Sequence, residues 1–129
     1  MRRAVISYAA TRSFNKQDVQ TFANLTGDKN PIHIDNEPNQ IVVHGMLYAS
    51  MFGALVAEKH PGAKYLSQTL NFKKTVTLDQ PITATVTVQK SRASGRIVDF
   101  DTSCTNTKGE VVLSGAASVL LPKENPLHT

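Results

Sequence analysis

An aspartate and a histidine stand five residues apart on a proline-stiffened turn, Asp28 and His33 in Gly27-Asp28-Lys29-Asn30-Pro31-Ile32-His33. That is acid-base equipment. A carboxylate and an imidazole held together can pass protons near neutral pH, and such a pair is worth about 10²–10⁴-fold in rate. The same residue types also build ordinary polar turns, and an isolated D-x-N-P-x-H is more often a loop than a catalyst. The elements around the turn decide between the two readings.

Upstream, residues 4–13 read as a first strand, and the next segment carries the signals of a short helix. Asn15 suits the N-cap, Asp18 stands at the third helical position where its charge favours the helix dipole, and Phe14 and Val19 are spaced as a hydrophobic staple. Val19, Phe22 and Ala23 share one helical face, and Gly27 falls where a left-handed stop is wanted. The turn therefore starts at a helix C-terminus.

Downstream, the thirteen residues 45–57 carry no charge. A membrane span needs about 20 residues, so the expectation is a helix buried on most sides by protein. After Pro61-Gly62 the period changes to two: Leu66, Gln68, Leu70 and Phe72 fall on one face of a strand, and residues 82–89, 97–105 and 111–121 form three more, with reversals at Ser94-Gly95 and Lys108-Gly109. Gln68 interrupts an apolar face and calls for a buried hydrogen-bond partner. The fold class expected is α+β, one domain over residues 1–129, with an antiparallel sheet wrapped around a central apolar helix and one sheet edge left free.

Composition narrows the function. The net charge is +4, from 14 Lys and Arg against 10 Asp and Glu, but the basic residues are scattered over Arg2-Arg3, Lys73-Lys74 and the segment 90–96 without an interleaved aromatic series. A nucleic-acid surface is not expected, and a basic RNA-binding reading would rest on charge alone. Neither a G-x-G-x-x-G nor a P-loop is present. The lone Cys104 excludes an internal disulfide, fits a reducing compartment and reads as packing. No secretory core follows Met1-Arg2-Arg3, which leaves the cytoplasm or an organellar matrix open.

Three separated motifs, Phe22-Ala23-x-Leu25-Thr26-Gly27-Asp28-x-Asn30-Pro31-Ile32-His33-x-Asp35, Val43-His44-Gly45-Met46-Leu47 and Tyr65-Leu66-Ser67-Gln68-x-Leu70-x-Phe72, together resemble the MaoC-like (R)-specific enoyl-thioester hydratases, which are single hot dog domains. The resemblance runs over nearly the whole chain. It implies reversible addition of water to a trans-2-enoyl thioester of coenzyme A or acyl carrier protein, giving an (R)-3-hydroxyacyl thioester, with no metal or redox cofactor. It matches Asp28 and His33 to the catalytic dyad, with Asn30 fixing the loop, and leaves open which of the two is base, since a coupled pair shares its protons. It also points to the Gly45 amide as donor to the thioester oxygen, to Val56 and Val119 as acyl-tail contacts, and to a homodimer.

The residues around Gly45 support that role independently. No Ser, Thr, Asp or Asn stands before Gly45 to cap the apolar helix, so its first amides are free to serve a ligand. His44 is expected to orient the loop through a hydrogen bond or to contact substrate. Tyr48, Met51, Phe52, Leu55 and Val56 have the spacing of an acyl tunnel, which is also the spacing of plain core.

Two departures from the family stand out. The link Asn36-Glu37-Pro38-Asn39-Gln40 is several residues shorter than usual, which means either a more open site or a sequence lacking a segment; an intact mass above 14.0 kDa would reveal the latter. Gly53 stands where relatives often carry serine. A metal is not expected, because His33 and Asp35 have no third and fourth ligand at metal-site spacing. The alternatives are a hot dog thioesterase, which would want a carboxylate on a helix that offers none before Glu58, and a silent acyl-binding or assembly subunit.

Overall fold

A computed structural model of the chain describes residues 4–34, 37 and 40–129. Asp35, Asn36, Pro38 and Asn39 of the shortened link, and Met1-Arg2-Arg3, lie outside the described residues. The elements run β1 (Ser7–Arg12), α1 (Lys16–Thr26), a 3₁₀ turn (Pro31–His33), α2 (Gly45–Lys59), β2 (Lys64–Gln68), β3 (Asn71–Phe72), β4 (Ile82–Arg92), β5 (Ile97–Thr105) and β6 (Val111–Leu120). The strands form one antiparallel sheet in the order β1-β4-β5-β6-β2, with β3 also pairing to β6.

Strict alternation on β4 sends Ile82, Ala84 and Val86 inward, and Val98, Phe100 and Cys104 do the same on β5. They join Tyr48, Met51, Phe52, Leu55 and Val56 of α2 in one core cluster, so the apolar helix is packed against one face of the sheet. Burying each large side chain contributes about 1.5–3 kcal/mol, which is what holds α2 there despite its lack of a polar face. The fold is the α+β hot dog arrangement. No helix among the described residues is long and apolar enough to cross a membrane.

Helix α1 forms where its signals place it. The Asn15 side chain accepts from the Asp18 amide at 2.9 Å and the Asp18 carboxylate accepts from the Asn15 amide at 2.9 Å, a complete capping box. Gly27 closes the helix at φ 81°, a left-handed conformation that glycine adopts without a Cβ penalty.

Two expectations need correction. The face shared by Leu66, Gln68, Leu70 and Phe72 does not exist as one strand: β2 is bulged between Tyr65 and Ser67, which leaves Leu66 as the extra residue and 53% exposed, and the chain breaks before β3. The break has a local cause, since Thr69 turns onto β6, donating its amide to the Ala116 carbonyl at 2.8 Å and accepting the Ala116 amide on Oγ1 at 2.9 Å. The sheet also has two edges, β1 at one end and β2 with β3 at the other, because it does not close on itself. Gln68 does have its partners: it donates to Thr102 Oγ1 and to the Thr69 carbonyl, each at 2.9 Å, and accepts from the Tyr65 hydroxyl at 3.0 Å.

Candidate active site

The helix stop at Gly27 delivers the chain straight into the Asp28 turn, and each step of that turn is hydrogen-bonded. The Asp28 amide donates to Thr26 Oγ1 at 3.2 Å, the Asn30 amide to Asp28 Oδ1 at 3.3 Å, and Asn30 Oδ1 in turn accepts from the Ile32 amide at 3.3 Å, capping the 3₁₀ turn. Asn30 is thus tied into the turn through both its amide and its side chain. The turn lifts His33 into a buried position, 8% exposed, while Asp28 stays exposed.

Two interactions fix the His33 ring. Its Nδ1–H donates to the Val42 carbonyl at 2.5 Å, while the Val42 amide donates to the Ile32 carbonyl at 3.0 Å, so one residue holds both the backbone and the ring of the turn. A carbonyl can only accept, so Nδ1 carries the proton and Nε2 is left as the basic nitrogen. Behind it lies His44, whose ring stacks on that of His33 with centroids 3.7 Å apart and planes 21° apart.

His44 is the N-cap residue of α2 by position and offers the helix no side-chain cap, as the absence of a capping residue type implied. Its ring turns instead toward the Asp28 turn. Nε2–H donates to the Asp28 main-chain carbonyl at 2.9 Å, while Nδ1 is buried without a hydrogen-bond partner among the described residues. A bond of this kind contributes about 1 kcal/mol net. Neither the sixteen-residue separation nor the stacking leaves a trace in sequence periodicity.

A pocket of about 350 Å³ opens beside these groups, lined among others by His33, Val42, Gly45, Phe72, Lys73 and Lys74. His33 and the uncapped Gly45 therefore face the same space. Gly45 itself is closely approached, because the Phe72 ring sits where its side chain would be. Tyr48 lies in the same wall with its phenol pushed up to about 12, first by burial and then by the Cys104 thiol, so it remains protonated at any physiological pH. Burial also pushes the Cys104 thiol up to about 12, which leaves it a packing residue.

Of the expected catalytic and substrate-binding residues, only His33 and Gly45 line this pocket; Asp28, Asn30 and His44 are not among its walls. Val56 and Val119 are 2% and 0% exposed, sealed in the core cluster and absent from the pocket walls. Val56 lies eleven residues along α2 from Gly45, roughly 16 Å at 1.5 Å per residue. Gly53 lines a second, apolar hollow of about 340 Å³ with Met46, Ala49, Ser50, Tyr65, Gln68 and Leu70. Met46 borders both.

The metal pair weighed from the sequence, His33 with Asp35, falls outside the described residues at Asp35, but Asp28, His33 and His44 bring possible metal-ligand atoms within 4.8 Å of one another. The two imidazole rings stack with planes 21° apart, and each donates from one nitrogen to a main-chain carbonyl, which leaves His33 Nε2 and His44 Nδ1 as the nitrogens with lone pairs.

The turn thus presents a carboxylate and an oriented imidazole beside the uncapped start of α2, inside a hot dog sheet. Residues 3–110 match the MaoC like domain, and the chain belongs to that family. It is 36% identical over 124 residues to the (R)-specific enoyl-CoA hydratase of Rhodospirillum rubrum, covering 90% of this chain and 85% of that one. It is also 36% identical over 127 residues to the mitochondrial 3-hydroxyacyl-[acyl-carrier-protein] dehydratase of Arabidopsis thaliana, covering 92% of this chain and 76% of that one. The solved (R)-hydratase from A. caviae involved in PHA biosynthesis superposes with a TM-score of 0.85 at 31% identity, over 94% of this chain and 98% of that one.

Proposed function

We propose that this protein adds water reversibly to trans-2-enoyl thioesters of coenzyme A or acyl carrier protein, forming (R)-3-hydroxyacyl thioesters, with Asp28 and His33 as the proton-transfer pair and the Gly45 amide as donor to the thioester oxygen. The observation that carries the reading is the distance within the pair. Carboxylate and imidazole atoms lie within 4.8 Å, which one water bridges with two ordinary hydrogen bonds of about 2.8 Å each.

The chemistry then balances without a cofactor. The hydroxyl of that water goes to the β-carbon, one proton leaves the water to the pair, and one proton passes from the pair to the α-carbon. Charge that collects on the thioester oxygen meets the uncapped start of α2, where an amide donor of this type is worth about 10²–10³-fold. The (R) outcome rests on the family and its named relatives. Lys73 and Lys74 at the pocket rim suit the phosphates that both carriers bring. A second copy of the chain would cover the exposed Met46, Tyr65 and Leu66 beside β2, so a homodimer of twice 14.0 kDa is the assembly proposed.

The test follows the enoyl-thioester absorbance with crotonyl-coenzyme A and longer homologues. Wild type should consume it without releasing free thiol, whereas a thioesterase would release thiol. Asp28→Asn and His33→Ala should each lose about 10²–10⁴-fold in kcat. Wild-type silence across chain lengths would refute the reaction, and unaffected variants would refute the pair.

A further inference from the structure

Addition of water to an enoyl thioester needs two distant parts of the chain in register: the Asp28–His33 turn, which handles the protons, and the start of α2, which meets the oxygen. We propose that His44 is the positioning residue that holds those two parts together. The inference rests on the functional reading above for its kinetic consequence, but the tether itself is a structural claim.

A single side chain makes all the connections. His44 is joined by one peptide bond to Gly45, donates from Nε2 to the Asp28 carbonyl at 2.9 Å, and lies face to face with His33 at 3.7 Å. Its edge also meets Phe22 of α1, with centroids 4.9 Å apart and planes 60° apart, so the helix that delivers the turn bears on the same ring. The ring is 2% exposed and cannot move aside into solvent. Among the described residues, no other side-chain hydrogen bond joins this turn to α2.

The ring nitrogens are also used unequally. Nε2 takes the carbonyl, and Nδ1 is left buried with no partner, a cost that a purely space-filling apolar residue would avoid. Retaining an imidazole here makes physical sense if the bond to Asp28 matters more than that unmet atom. The bond reaches the main chain of Asp28 and makes no demand on its carboxylate, whose Oδ1 accepts from the Asn30 amide within the turn. His44 does not touch the reacting atoms; it acts through Asp28, His33 and Gly45.

Two variants separate the tether from the packing. His44→Phe keeps the stacked ring and loses the donor, while His44→Gln loses the ring and keeps an N–H donor at similar reach. His44→Phe should lower kcat by about 10²-fold with KM changed less than about threefold, as expected when catalytic groups shift by about 1 Å, and His44→Gln should stay within about fivefold of wild type. Amide hydrogen exchange over residues 27–34 should speed up by about tenfold in His44→Phe and stay near wild type in His44→Gln. In the unaltered protein the His44 Hε2 proton should be visible by NMR and slow to exchange, a reading that needs no variant to fold. Unchanged exchange in His44→Phe, equal loss of kcat in both variants, or a fast-exchanging Hε2 overturns the tether. Should wild type fail to hydrate any enoyl thioester, the functional reading falls, and the exchange comparison still decides the role of His44.

Discussion

The ring of Phe72 fills the space into which a side chain at Gly45 would grow: a Cβ built there would lie 2.8 Å from Phe72 Cδ1 and 2.9 Å from Cζ. Glycine at the start of α2 therefore answers two needs, room for the Phe72 ring and access to an amide that no residue caps. Gly45→Ala should displace Phe72 and lower kcat by about 10–10²-fold, the scale of losing or shifting one oxyanion donor. Gly45→Ala combined with Phe72→Ala should recover part of that loss if crowding is the cause. Steady-state hydration kinetics of the two variants check this, and an active single variant would count against it.

At the pocket rim, the two lysines have different partners. Lys74 is 2.5 Å from Glu110 and holds that carboxyl below its ordinary range, with Asn106 assisting, whereas no ion pair is present for Lys73 among the described residues. Lys73→Glu should therefore raise KM for coenzyme A thioesters several-fold with kcat nearly unchanged, and Lys74→Gln should do less. The Lys73 effect should shrink in high salt, because charges of this kind are screened within about 10 Å at 0.1 M. A KM that ignores both charge and salt would remove Lys73 from substrate binding.

The far end of α2 carries a titrating contact. His60 caps the helix and shares a 2.8 Å hydrogen bond with the Tyr8 hydroxyl, and burial holds its pKa below the ordinary 6.5. A histidine depressed in the fold binds its proton more readily when unfolded, so stability rises with pH across the window between the folded value and 6.5. Thermal midpoints should accordingly fall between about pH 7.5 and pH 5.5, and the drop should be smaller in His60→Gln. Equal drops in both proteins would exclude His60 as the source.

Cys104 should be inert in the native protein. It is 0% exposed with its thiol at about 12, so iodoacetamide should modify it only after unfolding in urea. Rapid native alkylation, read by mass spectrometry, would contradict this.

The parts legible in the sequence were those set by local chemistry. Asn15, Asp18 and Gly27 mark both ends of α1 because caps act within a few residues, and β4 and β5 announce themselves because one face of each meets the core. Residues 66–72 misled, since the bulge at Leu66 and the turn of Thr69 onto β6 answer to a strand more than 40 residues away rather than to their own alternation. The site divided in the same way. Asp28, Asn30 and His33 share one turn and one motif, whereas the stacking of His44 on His33 arises only when α2 is seated in the sheet. Val56 and Val119 had the right residue type for an apolar contact, but the fold places them in the core, away from the pocket walls.

The bond from His44 reaches the peptide group of Asp28, whereas the Asp28 carboxylate is tied into the loop separately, through Oδ1 and the Asn30 amide. Asparagine at this position keeps an oxygen where Oδ1 stands, so that exchange would leave both attachments of the loop in place. On the proposed reaction, that one exchange would leave a receptor that still takes up the thioester and no longer turns it over.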